Sequence, residues 1–275
     1  MFCTHYLTEK SCEARLQLQQ SRKLRMLCLH GYNTNAGVME YQMRHFRQVF
    51  EQVVDFTVVD APFTCQDPPP KELLKFLPPG QTHFRCWLLF PSWQGPDSQR
   101  QKFSPDCVYG MQQATEYLLD VLRTQGPFDG VLAFSQGGIA YSHFYRITQM
   151  IEHPQPAVPM PRFLVNIATP LYPTMKFEYK GTEYGHLNQP IFDFPSIHLK
   201  GTKDRNGAHL NSDQYFKPGA EPQVVVFEDG HRFPRLLSEE GFGRLKAFIK
   251  SQFVAKNNSE QGWEVDYEKY DFEII

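Results

Sequence analysis

The feature that most constrains the fold of this sequence is a series of short apolar segments that alternate with helix-like patterns along most of the chain. Each segment is nearly continuous in apolar residues, as is typical of a strand covered on both faces. Such alternation predicts an α/β protein with a mostly parallel, doubly wound sheet of about six strands flanked by helices. The predicted strands cover residues 24–30, 56–62, 129–134, 162–168, 195–201 and 223–230.

The clearest helix pattern lies over residues 105–125, where apolar side chains recur on one face. Ser104 can cap this helix, and Pro105 suits its first turn. A second helix is predicted after Ser135, and a third over about residues 239–253.

The chain length of 275 residues fits one large domain better than two. We assign this domain to residues 23–254. Residues 1–22 have mixed polarity and no clear period, so they are predicted to form an N-terminal extension. Residues 255–275 are rich in acidic side chains and are predicted to form an acidic C-terminal tail.

The charge of the chain argues against large polyanionic partners. Lys and Arg number 28 and Asp and Glu number 30, so the formal net charge is −2. This balance gives no electrostatic case for binding nucleic acid or an anionic membrane. Apolar runs stay shorter than the roughly 20 residues of a spanning helix, and the N-terminus lacks the apolar core of a signal peptide. We therefore expect a cytoplasmic protein with a small-molecule partner and without a membrane span; the sequence does not indicate its oligomeric state.

Two long segments interrupt the strand–helix alternation and are rich in aromatic residues. They cover residues 62–105 and 170–194. Long aromatic-rich loops in a compact domain are often lids or binding loops. They can equally cover the edge of the sheet, because aromatic side chains also fill ordinary core. The sequence leaves both interpretations open.

The strongest local motif is DGVLAFSQGG, over residues 129–138, in which an apolar strand leads to Ser135 and two glycines open a helix. This is the layout of a nucleophile elbow, in which a tight turn holds a hydroxyl above the sheet. The usual pattern is G-x-S-x-G, and Ala133 occupies the first small position. A serine that merely caps a helix would give a similar string.

A serine hydroxyl needs a base to accept its proton and a third group to orient that base. Asp204 follows the predicted strand 195–201, and His231 follows the next one. Because the ends of parallel strands share one edge of a sheet, Ser135, Asp204 and His231 can converge there. Their order, serine then acid then histidine, is that of this class of enzymes.

Several other residues compete for these roles. Asp213 is the substitute acid if Asp204 is wrong, and His209 is a weaker candidate for the base. Asp229 lies two residues before His231 and is expected to shape the turn. His30 is expected to shape the turn after the first strand.

The predicted chemistry also needs donors for the negative charge that develops on the substrate carbonyl. One donor is expected to be the backbone N–H of Gln136, the residue after the nucleophile. The second is expected from the loop LHGYNTN, through the backbone N–H of Tyr32. The simpler interpretation is that this loop only ends a strand.

No motif for a metal or cofactor stands out in the sequence. The six cysteines form no C-x-x-C pair, and H-E-x-x-H, G-K-S/T and G-x-G-x-x-G are missing. We therefore expect no metal and no cofactor.

The chain resembles the eukaryotic FSH family of serine hydrolases. The matching stretches, which span about residues 24–250, are LCLHGYNTN, VVDAPF, CWLLF, FDGVLAFSQGG, FPSIHLKGTKD and VVVFEDGHRFP. The resemblance implies an α/β-hydrolase fold and hydrolysis of carboxylic esters or thioesters. It places the nucleophile at Ser135, the acid at Asp204 and the base at His231. Ala133 and Asp229 depart from the family pattern, which has glycine at both positions.

Together these observations predict a serine hydrolase that cleaves carboxylic esters with an apolar acyl group through an acyl-serine intermediate. An acyl thioesterase or acyltransferase would use the same three side chains. A non-catalytic protein that binds a ligand on the hydrolase scaffold is a third hypothesis, because a fold alone does not imply an activity.

Overall fold

The computed structural model describes residues 22–65, 69, 83–89, 107–150, 158–170, 176–184, 192–205, 216–217, 220, 222–235 and 237–261. The strands are, in chain order, β1 (Leu24–Leu29), β2 (Val54–Val59), β3 (Phe63–Thr64), β4 (Arg85–Cys86), β5 (Cys107–Val108), β6 (Gly130–Phe134), β7 (Phe163–Ile167), β8 (Lys176–Tyr179), β9 (Thr182–Tyr184), β10 (Ser196–Gly201) and β11 (Gln223–Phe227). The helices are α1 (Ala36–Gln42), α2 (Arg44–Phe50), α3 (Met111–Gln125), α4 (Gln136–Met150) and α5 (Glu239–Gln261).

The central sheet contains six strands in the order β11-β10-β7-β6-β1-β2, and every neighbouring pair is parallel. The predicted parallel sheet of about six strands is therefore confirmed. The central strands β6 and β7 are buried along their whole length, which explains their continuous apolar sequences. The strand predicted over residues 56–62 begins earlier, at Val54.

Helices cover both faces of this sheet. Side chains of α3 and α4 pack in one hydrophobic cluster with one face, and side chains of α1, α2 and α5 pack in a second cluster with the other face. The doubly wound arrangement is therefore confirmed. Among the described residues, no helix is both long and apolar enough to cross a membrane.

The order of the strands reverses beside β1. The chain places β2 on one side of β1 and then returns to form β6, β7, β10 and β11 on the other side. Ligands of open α/β sheets bind at the carboxyl ends of the strands at such a reversal. The loop after β1 begins at His30, and Ser135 alone forms the turn between β6 and α4. The fold thus brings two of the motifs from the sequence to the same edge of the sheet, at neighbouring strands.

Two of the predicted helix ends are wrong. The helix predicted to begin at residue 105 begins at Met111, because β5 occupies its expected first turn and pairs in parallel with β8. Gly110, with φ of 80°, separates β5 from α3. The expected cap Ser104 lies outside the described residues.

The C-terminal helix also continues beyond its predicted end near residue 253, to Gln261. Lys256 and Asn257 are buried on this last part. Lys256 donates to Asp129 at 2.8 Å, and Asn257 accepts from the backbone N–H of Arg22 at 3.0 Å. The predicted boundary after residue 254 therefore falls inside α5, while residues 1–21 and 262–275 lie outside the described part of the chain.

The described aromatic residues of the two interrupting segments belong to the core. Trp87, Phe177, Tyr179 and Phe192 are buried in the cluster with α3 and α4. The strands β3 and β4 pair in one small sheet, and β5, β8 and β9 form another. These aromatic residues therefore cover the central sheet, whereas most of residues 66–106 and the stretches 171–175 and 185–191 lie outside the described residues.

Candidate active site

Ser135 lies in a sharp turn between β6 and α4. Its φ is +52°, a left-handed value that is unfavourable for a residue with a side chain. Its backbone N–H donates to the carbonyl of Ile167 at 3.0 Å, and its carbonyl accepts from Gly138 N–H at 3.0 Å. The turn is thus held by hydrogen bonds to β7 and to the first turn of α4. Such strain in a turn from a strand to a helix is typical of a nucleophile elbow.

The glycines after Ser135 allow α4 to start close to neighbouring groups. A Cβ atom at Gly137 would overlap the carbonyl oxygen of Leu29, and one at Gly138 would overlap the hydroxyl of Thr169. Both positions therefore exclude any side chain. Ala133, which departs from the usual glycine, lies within β6 with its methyl group fully buried.

The structure brings Ser135, His231 and Asp204 together. The Ser135 Oγ atom lies 2.7 Å from Nε2 of His231, and Nδ1 of the same ring lies 2.8 Å from Oδ2 of Asp204. An ionised carboxylate only accepts hydrogen bonds, so Nδ1 carries the hydrogen and Nε2 is left to accept from the hydroxyl. This arrangement can pass a proton from the hydroxyl to the imidazole and stabilise the resulting charge.

The surroundings of His231 differ on its two sides. The side chain of Asp204 is fully buried, whereas that of His231 is 22% exposed. The ring of Phe134 packs beside the imidazole with a centroid distance of 5.5 Å, and Phe233 packs against Phe134 in turn. The carboxylate is thus shielded from water, and the imidazole has an apolar wall on one side and an open edge.

The neighbouring Asp229 shapes the turn before His231, as expected. Its carboxylate accepts from Gly230 N–H at 2.8 Å and pairs with Arg232 at 3.1 Å. The turn is packed closely against β10, because a Cβ atom at Gly201 would lie 2.5 Å from the Asp229 carbonyl. The residues that the sequence offers as a weaker base and a substitute acid, His209 and Asp213, lie outside the described residues.

His30 is a fully buried residue at the end of β1. Its Nε2 accepts from Ala61 N–H at 3.0 Å, and its Nδ1 lies 2.7 Å from the carbonyl of Gly31. Burial lowers the pKa of His30 to about 4, so the ring is neutral near pH 7. His30 therefore shapes the turn, as expected from the sequence.

The two predicted oxyanion donors lie beside the strand reversal, one at the start of α4 and the other in the loop after β1. Gln136 is the first residue of α4, where the first backbone N–H groups have no carbonyl partner within their helix. Tyr32 follows Gly31, where a Cβ atom would lie 3.5 Å from Cβ of Ser135. The loop after β1 is therefore directly beside the elbow.

Sequence reasoning missed the side-chain partners of Gln136. Its amide group binds the backbone of Trp87 and Leu88, which follow β4. These residues are separated from Gln136 by about fifty positions, and no spacing rule relates them. The only hint in the sequence is the aromatic CWLLF stretch, which lies in the first of the two interrupting segments.

In the described part of the chain, no group of three His, Cys, Asp or Glu side chains could hold a metal ion.

Comparisons with known proteins identify relatives among serine hydrolases and esterases. The sequence model of the serine hydrolase (FSH1) family matches residues 20–241. Esterase CG5412 of Drosophila melanogaster is 28% identical over 236 residues, which cover 82% of this chain and 73% of that protein. Esterase OVCA2 of Xenopus tropicalis is 26% identical over 217 residues, which cover 78% of this chain and 88% of that protein.

Among solved structures, acyl-protein thioesterase 2 of Zea mays is similar with a TM-score of 0.45 at 14% identity, over 85% of this chain and 95% of that one. The family match covers most of the chain, including β1 to β11 and the three clustered side chains. The fold is that of an α/β-hydrolase. The chain therefore belongs to the FSH1 family of serine hydrolases and is a hydrolase, like the esterases that it resembles.

Proposed function

We propose that the protein is a serine esterase that cleaves carboxylic esters with an apolar acyl group through an acyl-serine intermediate. The observation that carries this proposal is the unbroken hydrogen-bonded chain from Ser135 through His231 to Asp204, at the carboxyl edge of the sheet. The strained φ of Ser135 supports the same role, because a nucleophile elbow exposes its hydroxyl above the strand ends.

The proposed reaction begins when Nε2 of His231 accepts the Ser135 proton while Oγ attacks the ester carbonyl. Asp204 stabilises the imidazolium through Nδ1. The backbone N–H groups of Gln136 and Tyr32 donate to the oxyanion. As the tetrahedral intermediate collapses, the bond to the alcohol oxygen breaks, and His231 gives its proton to that oxygen. Water then attacks the acyl-serine with His231 as base, which releases the carboxylic acid and restores the serine.

The preference for an apolar acyl group is supported by the sequence more than by the described residues. Segments 62–105 and 170–194 are rich in aromatic side chains. Within the first of them, β4 lies beside the loop after β1, because the Arg85 N–H donates to the Thr34 carbonyl at 2.6 Å. Apolar walls with few polar groups are typical of small-molecule sites. The cytoplasmic location expected from the sequence stays a prediction.

The nucleophile is tested by labelling with a fluorophosphonate, which reacts with an activated serine. The wild-type protein is expected to take up one label per chain, and Ser135→Ala none. Ser142 on α4 offers a matched control, because it is also buried and its hydroxyl donates to the Gly138 carbonyl at 2.7 Å. Ser142→Ala should label like the wild type. Wild-type labelling no greater than that of Ser135→Ala would refute the proposal and favour a non-catalytic binding protein.

The acyl group and the leaving group are tested separately. A series of p-nitrophenyl esters from two to eight acyl carbons should show kcat/KM rising with length, and a preference for the two-carbon ester would refute the apolar acyl site. Oxygen esters and thioesters with the same acyl group then distinguish an esterase from a thioesterase. Faster turnover of the thioester would shift the assignment to the second class on the same three side chains.

A further inference from the structure

The side chain of Gln136 is fully buried and makes two hydrogen bonds to one segment of backbone. Its Oε1 atom accepts from the N–H of Trp87 at 2.8 Å, and its Nε2 atom donates to the carbonyl of Leu88 at 2.7 Å. A backbone N–H can only donate and a carbonyl can only accept, so these partners fix the orientation of the amide. The residue at the start of α4 thus holds the segment that follows β4.

Trp87 connects the same segment to the loop after β1. Its indole Nε1 donates to the carbonyl of His30 at 2.9 Å, and the two rings lie 5.5 Å apart. Two residues before Trp87, the N–H of Arg85 donates to the carbonyl of Thr34 at 2.6 Å. The indole is completely buried, so its hydrogen bond has no competing water.

The loop after β1 is also held from its other side. Nε2 of His30 accepts from Ala61 N–H, so Nδ1 carries the hydrogen and donates to the Gly31 carbonyl. The Thr34 hydroxyl donates to that carbonyl as well, at 2.7 Å. In a trans peptide the C=O and the following N–H point in opposite directions. Two donors on the Gly31 oxygen therefore fix the direction of the Tyr32 N–H.

We infer that the Gln136 side chain, Trp87 and His30 form a positioning network that sets the separation and direction of the two oxyanion donors. This inference rests on the proposed function. The network joins the start of α4, which carries the Gln136 N–H, to the peptide that carries the Tyr32 N–H. A displacement of about 1 Å in such a site can cost on the order of 100-fold in rate. The three side chains act through the donors and do not touch the substrate.

The test is Trp87→Phe, which removes the indole N–H and keeps an aromatic ring in the core. We expect kcat/KM for a p-nitrophenyl ester to fall by about 10- to 100-fold, mainly through kcat. A trifluoromethyl ketone forms a hemiketal on serine whose oxyanion needs the same donors. Its inhibition constant should rise by the same factor, because both quantities report transition-state stabilisation.

A second variant guards against an effect of packing alone. Gln136→Met keeps the approximate length of the side chain and loses both the acceptor for the Trp87 N–H and the donor to Leu88, so the same proportional losses are expected. Phe163→Leu serves as the control, because it trims a buried ring on the opposite face of the sheet. It should lower stability while leaving kcat/KM and the inhibition constant of the folded protein within about twofold.

A separate measurement distinguishes failure of this inference from failure of the proposed function. Hydrogen exchange of residues 30–35 should be faster in Trp87→Phe than in the wild type and unchanged in Phe163→Leu, whether or not the protein turns over esters. If the wild-type protein shows no Ser135-dependent hydrolysis, the proposed function fails. The hydrogen-exchange rates of residues 30–35 then still show whether Trp87 holds the loop after β1 in place. Unchanged exchange in Trp87→Phe, or activity loss without a matching rise in the inhibition constant, would overturn the inference.

Discussion

The polar side chains at the two ends of β6 are both largely shielded from solvent but differ in their partners. Asp129, just before the strand, receives the ammonium of Lys256 at 2.8 Å, the backbone N–H of Arg25 at 2.8 Å and the guanidinium of Arg162 at 3.4 Å. Ser135, just after the strand, belongs to a chain of hydrogen bonds between a hydroxyl, a ring and a carboxylate. The amino end of β6 thus connects segments that are distant along the chain. The carboxyl end carries a hydroxyl that is hydrogen-bonded to a group able to accept its proton.

Backbone strain follows the same division. The described residues other than glycine with positive φ are Asn33, Ser135, Ala168 and Lys180. Asn33, Ser135 and Ala168 lie in the loops after β1, β6 and β7, at the carboxyl edge of the sheet. Unfavourable dihedral angles persist where the surrounding structure holds them for function. Strained residues among those described therefore lie mainly at the carboxyl edge of the sheet, whereas the contacts of Asp129 at the amino edge join distant segments of the chain.

The largest effect should come from the carboxyl end. Asp204→Asn keeps the shape of the buried side chain but removes the charge that fixes the His231 tautomer. We expect kcat for ester hydrolysis to fall by about 10³- to 10⁴-fold, with a change in unfolding free energy of about 1 kcal/mol or less. Steady-state kinetics and urea unfolding measure the two quantities.

The neighbouring acid provides the matched control for that variant. Asp229→Asn alters the turn contacts to Gly230 and Arg232 without reaching the Nδ1 atom of His231. Its loss of kcat should stay below about tenfold. Equal losses of kcat in Asp204→Asn and Asp229→Asn would mean that Asp204 has no special role in the reaction. The functional difference between the two ends of β6 would then be unsupported.

At the amino end, Lys256→Met should reduce stability without reducing activity. The side chains of Lys256 and Asp129 are 7% and 13% exposed, so removing the ammonium leaves a largely buried carboxylate with weaker partners. We expect a loss of about 3 kcal/mol in unfolding free energy, measured by urea unfolding at pH 7. The kcat/KM of the folded protein should be unchanged.

An exposed ion pair serves as the control in this test, because it shows how much stability is lost when a charge is removed from a pair that is not buried. Arg123 and Asp120 on α3 are 51% and 60% exposed, so Arg123→Met should change stability by only about 0.5 kcal/mol. The double variant Lys256→Met/Asp129→Asn should recover part of the loss, because neither buried charge of the pair remains. A loss in Lys256→Met as small as that in Arg123→Met would contradict the structural role assigned to this end.

The carboxyl end should also make stability depend on pH. Burial lowers the pKa of His30 from 6.5 to about 4 in the folded protein. Between these values the unfolded chain binds a proton that the folded chain does not, so stability falls as pH decreases from 6.5 to 4. His30 alone should account for about 3 kcal/mol, and His143, whose pKa burial lowers to about 3, acts in the same direction.

The contribution of His30 is isolated by substitution. In His30→Gln the amide oxygen can still accept from Ala61 N–H, but it does not titrate. Unfolding free energies at about pH 7, 5.5 and 4.5 should then give a slope smaller by about 1.4 kcal/mol per pH unit. An unchanged slope in His30→Gln would show that this histidine does not remain neutral in the folded state.

Much of the fold could be predicted because it depends on local sequence. The strands of a sheet covered on both faces must be apolar throughout, so β6 and β7 stand out. Their shared carboxyl edge then indicates that Ser135, Asp204 and His231 can meet. The order of the loops is sufficient for this, because a parallel sheet aligns the ends of its strands.

The features that sequence reasoning missed depend on contacts between distant segments. β5 replaces the expected first turn of α3 because it pairs with β8, which no local pattern indicates. α5 continues to Gln261 because Lys256 and Asn257 meet Asp129 and Arg22 from other parts of the chain. The amide of Gln136 likewise finds its partners in a segment that β5, α3 and β6 separate from it along the chain. Helix ends and buried polar networks depend on how segments that are distant along the chain pack together, and a single sequence does not reveal this packing.

The smallest predicted effect concerns the one strained residue, among those described, away from the carboxyl edge. Lys180 and Gly181, with φ of 49° and 74°, form the two-residue turn between β8 and β9. Such turns prefer Asn-Gly, so Lys180→Asn should raise the unfolding free energy by about 0.5 kcal/mol. Gly181→Ala should lower it by about 1 kcal/mol, because the added methyl meets no atom within 4 Å and only the dihedral angle is strained. Both variants should keep full esterase activity. Activity loss in Lys180→Asn would mean that strain in this hairpin, like that at Ser135, serves the reaction, and the division between the two edges would no longer hold.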